Sequence, residues 1–382
     1  MKTLTLAAVA ASLFAAKAAI ASPITMEWVT VGNSGNAPDP LTGFGSVSYD
    51  YRISTYEVTN SQYAAFLNAV AASDPNGLYN TNMSSNAIGG ITRSGTDGSF
   101  TYAVKPNMGN KPVNFVSWYD AARMANWMTN GQGSGGTEFG VYTFTGPTSI
   151  SSITRDLSNP NQVFIPTEDE WYKAAYHHPA SQGGPASNYW RYATQSNSVP
   201  TIASATSIGD VANPGQSVVN YLFGADWNGQ NGNVTTVGSA GSTSFHGAFD
   251  MNGNVWEWNE TLVSASLRGV RGGAFSSTGG DLGSPGRAGN SPSTEANNLG
   301  FRLASPVPGP CPADLTGSAL DGVPDGTVNT FDLNYYVALW LASNPAADLT
   351  GSALDGVPDG TVNAFDLNYY LDLWLNSQGP CP

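Results

Sequence analysis

The chain has 382 residues with 14 basic and 28 acidic side chains, so its formal charge at pH 7 is −14. This acid excess argues against a nucleic-acid-binding protein, which presents a basic face, and against attachment to an anionic membrane through basic clusters. Only 11% of the residues are charged, whereas 41% are hydrophobic and 44 are glycine. The composition predicts a globular protein with a sizeable core, many loops and an uncharged polar surface.

The first 21 residues have the pattern of a secretory signal peptide. Lys2 precedes an apolar run from Leu4 to Ile20, which ends in the small-x-small sequence of residues 19–21. We therefore expect cleavage before Ser22 and a protein that is secreted or held at the cell surface. No later stretch approaches the roughly 18 apolar residues of a spanning helix, so no membrane span is predicted.

Residues 22–305 form one block in which helix-start signals recur. Each signal is a Thr or Ser followed three residues later by Gln, Asp or Glu, which is typical of a capping box. These signals predict helices over Asn60–Val70, Trp118–Met128 and Glu168–Tyr176, and a Thr/Phe/Tyr-rich run predicts a strand over Val141–Phe144. Gly, Asn and Ser clusters separate these segments, so the predicted class is α+β with much irregular chain.

A Pro-rich linker over residues 306–310 precedes a tandem repeat over residues 311–382. The segment 313–329 recurs almost unchanged at 347–363, which is a period of 34 residues. Apolar runs after each copy predict two helices, over Leu333–Leu341 and Leu367–Leu375. Cys311 and Cys381 are the only cysteines and bracket this segment. In an oxidising compartment we expect them to close a disulfide around one small domain.

Each repeat contains an acidic loop with the spacing of an EF-hand calcium site. In one register the loop of the first repeat runs from Asp321 to Asp332, with Asp325, Thr327 and Asn329 between them. Residue 323, at the third position, is a valine without a side-chain oxygen. In a second register Asp314 and Thr316 take the first and third positions, and residues 318–324 are an insertion.

We favour the second register because it supplies an oxygen at every side-chain position, as a hard cation such as Ca²⁺ requires. The equivalent residues of the second repeat are Asp348, Thr350, Asp355, Asp359, Thr361, Asn363 and Asp366. A metal-free acidic repeat that packs two helices is the alternative. The aspartate at the last loop position and the sequence Phe331-Asp332-Leu333 resemble a dockerin domain. That resemblance implies a small all-α calcium module with a cohesin-like or other surface-assembly protein as partner.

Six sequence strings of the first block resemble the sulfatase-modifying factor family, whose founding activity is the formylglycine-generating enzyme. The strings are Tyr56–Phe66, Pro112–Ala122, Ile165–Trp171, Phe249–Trp258, Val270–Ala274 and Asn298–Arg302. The resemblance implies an elaborated C-type-lectin-like fold of the α+β class. It places the tryptophans of these strings in the core rather than in a ligand cleft.

The resemblance also implies a copper ion held by two cysteines, but Ser277 and Leu282 occupy those positions. Leucine offers no ligand atom and serine only a poor one, so a thiolate copper site cannot form. Arg287 stands where the family has an active-site arginine. The three histidines, His177, His178 and His246, are candidates for an iron site. The alternative is that they are surface or helix-cap residues without a role in metal binding. We therefore expect neither copper nor iron.

For calcium, the resemblance implies a site at Asp250, Gly253, Val255 and Glu257 and a second site at Asn220 and the Tyr221 carbonyl. Glu257 lies between two tryptophans, and a buried carboxylate needs a partner. A solvent-facing Glu257 on an alternating strand is the alternative.

The sequence thus predicts a secreted calcium-binding protein. Its formylglycine-generating-enzyme-like domain lacks the catalytic cysteines and binds a peptide or glycan, and its dockerin-like module tethers it. The main alternative is an oxidoreductase with a rebuilt site, either protein-modifying or a nonheme metal oxygenase. A purely structural role in an extracellular assembly is a third possibility.

Overall fold

The computed structural model describes residues 23–133, 135–307, 311–354, 356–377 and 379–380. The predicted signal peptide, Asp355, Cys381 and residues 308–310 of the predicted linker lie outside this range. The fold mixes α and β structure, as the sequence predicts. Its helices are α1 (Asn60–Val70), α2 (Asn82–Ser85), α3 (Trp118–Thr129), α4 (Glu168–Tyr176), α5 (Gly279–Leu282), α6 (Thr330–Leu341) and α7 (Ala364–Asn376).

Capping boxes start the three longer helices of the first block, which confirms the sequence prediction. Thr59, Ser117 and Thr167 each accept a hydrogen bond from the backbone N–H three residues on. The side chain of that third residue accepts one in return. Because two otherwise unpaired N–H groups are satisfied at each start, the helices begin where the local sequence specifies.

Short strands form small sheets between the helices. The strands are β1 (Trp28–Val31), β2 (Tyr51–Ser54), β3 (Ile91–Ser94), β4 (Thr101–Val104), β5 (Tyr142–Gly146), β6 (Ser149–Ile153), β7 (Thr201–Ile202), β8 (Val218–Val219), β9 (Trp256–Leu262), β10 (Arg268–Arg271), β11 (Ala288–Asn290), β12 (Leu299–Phe301), β13 (Ala304–Pro306), β14 (Thr327–Val328) and β15 (Gly379–Pro380). The largest sheet has the order β11-β10-β9-β12, and only its β9–β12 pair is parallel.

A second sheet, of order β1-β2-β13, joins both ends of the first block. Its last strand extends to Pro306, one residue beyond the predicted domain end, and the Pro306 carbonyl accepts a hydrogen bond from Arg52. The core lies among α1, α3 and the largest sheet. Trp118, Trp171 and Trp258 are fully buried, which confirms that they are core residues, whereas Trp256 is only partly buried against the core.

No helix among the described residues is long and apolar enough to cross a membrane.

Candidate functional site

Ser277 and Leu282, the two positions where the resemblance places cysteines, lie side by side in the fold. The turn after β10 brings Gly273 beneath them with φ +76°. A Cβ atom on Gly273 would lie 2.7 Å from Leu282 Cδ2 and 3.4 Å from Ser277 Cβ. Leu282 is fully buried against Tyr192 and Tyr221, and Ser277 Oγ accepts the N–H of Ala274 at 2.9 Å. The site is therefore filled by an aliphatic side chain and a hydroxyl that closes a turn.

Four exposed apolar side chains near this site are called the apolar rim here: Val199 lies against Gly279, Ile202 lies against Gly224, and Leu222 and Phe223 directly precede Gly224. Leu222 and Phe223 are 48% and 43% exposed. Their φ angles are +53° and +58°, a conformation that bulky residues rarely adopt. The Leu222 N–H donates to the Ser277 carbonyl at 3.0 Å, and the Phe223 N–H donates to Phe275 at 2.7 Å. A strained backbone thus holds two large apolar side chains in solvent beside Ser277, and strain of this kind often marks a functional site.

Arg287 makes an ion pair with Glu168, the first residue of α4. Its Nε and Nη2 donate to the two carboxylate oxygens at 2.7 and 2.8 Å. Arg271 Nε donates to the same carboxylate at 2.8 Å, and the Phe44 ring packs against both guanidinium groups. Glu168 is buried, whereas one third of the Arg287 side chain is exposed. In this structure Arg287 therefore acts as the outer member of a charge triad.

Glu257 on β9 has a partner that sequence analysis did not identify. Arg302 donates to both of its oxygens, at 2.6 and 2.7 Å, and Trp171 Nε1 donates to Oε2 at 2.6 Å. Glu257 is only 1% exposed, so the solvent-facing alternative is wrong. The Arg302 guanidinium therefore supplies the partner that a buried Glu257 carboxylate needs. Calcium binding at Glu257 stays a prediction.

Two further carboxylates, Glu57 and Asp250, lie near this ion pair. Neither oxygen of Glu57 accepts a hydrogen bond from a described residue, although both are buried. Burial raises the pKa of Glu57 well above its usual range, and the Asp250 and Glu257 carboxylates add to this effect. Burial likewise raises the pKa of Asp250 to about 6. Sequence analysis missed Glu57, although a carboxylate inside the first family string was a signal.

The residues predicted for the second calcium site lie against the turn that carries the first one. The N–H of Asn254 donates to the Asn220 carbonyl, and a Cβ atom on Gly253 would lie 2.3 Å from that carbonyl oxygen. Asn220 Nδ2 donates to Asn233 at 2.9 Å, but its buried Oδ1 accepts no hydrogen bond within the described part of the chain. An unsatisfied buried amide oxygen is costly, and a hard cation is one group that satisfies it.

The three histidines lie together at the end of α4. His177 is the C-cap of this helix and is buried, so the surface interpretation is wrong for it. Asn33 donates to His177 Nε2 at 3.2 Å, which leaves a hydrogen on Nδ1 that faces His246 Nε2 at 3.4 Å. Burial and Lys173 lower the pKa of His177 to about 4, and burial and His177 lower that of His246 to about 3. His178 instead stacks on Phe245.

Comparison with known proteins identifies the family of this block. The model of the sulfatase-modifying factor enzyme 1-like domain matches residues 36–307. The chain belongs to this family. No curated protein matches it.

Several solved structures are similar to the chain. The protein of "Crystal Structure of CarF" is 21% identical, with a TM-score of 0.44, over 74% of this chain and 99% of that one. Treponema denticola variable protein 1 is 17% identical, with a TM-score of 0.40, over 74% and 95%. PvdO from Pseudomonas aeruginosa is 17% identical, with a TM-score of 0.37, over 74% and 92%.

Outside the sulfatase-modifying factor domain, the first repeat folds its loop around Asp314 and Asp332. Asp314 accepts the N–H groups of residues 325 and 326 at 3.1 and 2.7 Å. Asp332 accepts those of residues 315, 316 and 329 at 2.7 to 2.9 Å. Asp321 is exposed and accepts the N–H of Val323 at 3.1 Å. The structure therefore brings Asp314, Thr316, Asp325 and Asp332 into one loop and leaves Asp321 at its edge.

The second repeat has the same arrangement. Asp348 accepts the N–H groups of Asp359 and Gly360 at 3.1 and 2.6 Å, and Asp366 accepts those of Leu349 and Thr350 at 2.8 and 2.9 Å. Cys311 is disulfide-bonded, and its predicted pairing with Cys381 stays a prediction. Among the described residues, no group of three or more His, Cys, Asp or Glu side chains is close enough to hold a metal ion by itself. A calcium ion in these loops would also need hydroxyl and carbonyl oxygens.

Proposed function

We propose that this protein is exported and that its sulfatase-modifying factor domain binds a peptide or glycan without oxidising it. The C-terminal repeats form a calcium-binding, dockerin-like module that tethers the domain to a cohesin-like or other surface-assembly protein. The observation that carries the proposal is the meeting of Ser277 and Leu282 over Gly273. The family resemblance implies two metal-binding cysteines at these positions, and neither residue is a cysteine.

Copper does not fit this site. A soft copper ion prefers thiolate ligands, whereas Leu282 has no ligand atom and the Ser277 hydroxyl already closes a turn. The only cysteines of the chain are residues 311 and 381, beyond the family domain. We therefore assign no oxidation step to this domain.

The apolar rim beside Ser277 supports ligand binding. Its leucine and phenylalanine are exposed in a strained conformation, and their backbone N–H groups donate to the Ser277 and Phe275 carbonyls. Exposed apolar groups of this kind suit either an apolar peptide side chain or the apolar face of a sugar.

Calcium fits the residues of both parts of the chain. In the family domain, the unsatisfied Asn220 Oδ1 is a buried oxygen donor, and the Tyr221 carbonyl is the second predicted ligand. In the repeats, the donor set consists of carboxylate, hydroxyl, amide and carbonyl oxygens, which a hard cation prefers. Bound calcium would neutralise part of the negative charge of a segment, residues 311–382, that has nine aspartates and no basic residue. That charge also favours a partner with a basic rim.

Metal analysis of the mature chain, residues 22–382, tests the proposal. After dialysis against buffer that contains trace calcium and no other added divalent or transition metal, we expect bound calcium and neither copper nor iron. Stoichiometric copper or iron would contradict the proposal and favour the oxidoreductase alternative.

Glycan and peptide arrays then test ligand binding. We expect Phe223→Ser to abolish any binding that the mature chain shows. The matched control is Leu41→Ser, which removes an exposed leucine from a distant part of the sequence and should retain binding. Equal losses in both variants would contradict a ligand site at the rim.

A further inference from the structure

The exposed positive charge of this acidic protein is confined to one place in the described part of the chain. Among the basic residues that the structure describes, only Arg191 and Arg287 are exposed. Every other one is buried or half-buried, and it pairs with a carboxylate or donates to a hydroxyl or carbonyl oxygen. Since the formal charge of the chain is −14, these two arginines are the accessible cations of an otherwise acidic or uncharged surface.

Both arginines border the turn that follows α5. The Ser284 N–H donates to the Arg191 carbonyl at 2.7 Å, and a Cβ atom on Gly283 would lie 3.7 Å from Arg191 Cγ. The Gly286 N–H donates to the Gly283 carbonyl at 2.7 Å and closes the turn directly before Arg287. The fold therefore brings its two exposed arginines to the same short turn, next to the candidate site.

Both guanidinium groups have N–H donors that the described residues do not use. Arg287 binds Glu168 through Nε and Nη2, and its Nη1 donates to no described residue. The Arg191 guanidinium makes no hydrogen bond or ion pair with a described residue, and its carbon lies 5.8 Å from the Tyr192 ring centroid. Asp281, the acidic residue of α5, accepts the N–H and the hydroxyl of the residue that caps this helix. Because a guanidinium stays charged and its donors match a carboxylate, the pair suits an anion.

The segment 191–199 connects these arginines with the apolar rim. Arg191 lies at the end of α5, and Val199 lies at its start, where Cγ1 is 3.3 Å from the position of a Cβ atom on Gly279. Because a helix rises 1.5 Å per residue, the two ends of this four-residue helix are about 6 Å apart. An extended peptide spans that distance in about two residues.

We propose that Arg191 and Arg287 form an anion subsite and that the ligand is a peptide. A carboxylate of this peptide binds the anion subsite, while an apolar side chain about two to four residues away packs on the apolar rim. This inference rests on the proposed ligand binding.

Two features favour a peptide over a glycan. Three of the four rim residues are aliphatic, and an aliphatic surface packs an apolar side chain but offers no flat ring to a sugar. The acid excess of the chain repels a polyanion, such as a sulfated glycan, over its whole length. A single carboxylate is instead attracted at short range by two guanidinium groups.

Synthetic peptide arrays test this inference on the mature chain. Each probe is a Gly/Ser peptide with capped ends that contains one Glu and one apolar residue at varied separations. A matched probe has Gln in place of Glu. We expect the Glu probes to bind about tenfold more tightly at low ionic strength, because only they form charge-assisted hydrogen bonds. Added salt should reduce this preference, since the anion subsite is exposed.

Variants of Arg191 assign the preference to the anion subsite. Arg191→Gln should remove most of it without weakening the Gln probes, because the apolar rim is unchanged. Arg191→Lys keeps the charge but not the planar fork, so it should retain part of the preference. The matched control is Arg93→Gln, which removes one half-exposed positive charge that pairs with Asp74 in another part of the sequence. This control should leave the preference intact.

The outcomes separate this inference from the proposed function. If Glu and Gln probes bind equally and Phe223→Ser abolishes both, ligand binding stands and the anion subsite is wrong. If no probe binds but a glycan array shows binding that Phe223→Ser abolishes, the proposed function stands and the peptide is wrong. If neither array shows binding, both proposals are wrong. A Glu preference that Arg191→Gln leaves unchanged would overturn the anion subsite.

Discussion

Glu57 is the residue whose burial is hardest to reconcile with a charge. Because both of its oxygens are buried without a hydrogen-bond donor among the described residues, and burial raises its pKa well above the usual range, we expect the neutral form of Glu57 in calcium-free buffer. Glu57→Gln should then change the free energy of unfolding by less than about 1 kcal/mol, since it replaces one neutral group with another.

Glu257→Gln is the matched comparison, because it breaks the bidentate pair with buried Arg302 and should cost about 3–5 kcal/mol. Urea unfolding measures both variants. Similar losses in the two would show that Glu57 is charged in the native protein.

The His177–His246 pair gives the protein a pH dependence with a defined sign. Both folded-state pKa values lie below the unfolded value of about 6.5, so between about pH 4 and 6.5 the unfolded chain binds more protons. Stability from this pair is therefore fully present above pH 6.5 and is lost as the pH falls toward the folded-state pKa values, about 4 for His177 and about 3 for His246. His246→Gln should lose less stability than the unmodified protein over that interval. Parallel curves of unfolding free energy against pH would contradict this expectation.

Ser277 and Leu282 allow a gain-of-binding test of the geometry. Because their side chains meet over Gly273, Ser277→Cys/Leu282→Cys should place two thiols close enough to bind one Cu(I) ion. Competition with a chromophoric Cu(I) chelator under anaerobic conditions measures the affinity. Ser277→Cys alone, with one thiol, should bind at least tenfold more weakly. Equal affinities for the single and double variants would mean that position 282 does not face the site.

At the scale of elements, α4 positions more of the candidate site than any other helix. Its first turn carries Glu168 for the arginine pair, and Trp171 reaches Glu257 from its next turn. Thr167 starts this helix through a capping box, so Thr167→Ala should lower the free energy of unfolding by about 1 kcal/mol. Thr201→Ala on exposed β7 should change it by less than about 0.5 kcal/mol. Thermal unfolding of both variants provides the comparison, and equal shifts would argue against the cap.

Helix starts could be predicted from the sequence because capping is local, with both partners three residues apart. The sheet order could not, because β13 pairs with a strand some 250 residues earlier. The same distinction applies to the site residues, because local motifs locate some of them whereas long-range contacts determine the partners of others. The family strings located Ser277 and Leu282, whereas the partner of Glu257 is Arg302, 45 residues away, and His246 meets His177 across 69 residues. Nothing in the local sequence specifies such contacts, since only the folded chain brings them together.

At the scale of the whole molecule, the two parts of the chain differ in how much core supports them. The repeats bury few apolar side chains, chiefly Ala313, Val328, Tyr336, Ala347 and Tyr370, and a segment this small gains little stability from its core. Bound calcium should therefore dominate its stability. At a calcium concentration 100-fold above the dissociation constant, each site should contribute about 2.7 kcal/mol.

Calorimetric unfolding in calcium and in EDTA tests this expectation on the mature chain. We expect EDTA to lower the unfolding temperature of the repeats more than that of the sulfatase-modifying factor domain, whose large core remains without the ion. Asp314→Ala/Asp348→Ala in calcium should reproduce the EDTA result for the repeats and respond no further to EDTA. Identical thermograms for the unmodified chain with and without EDTA would show that hydrogen bonding of the loop aspartates to the backbone, rather than an ion, holds the repeats together.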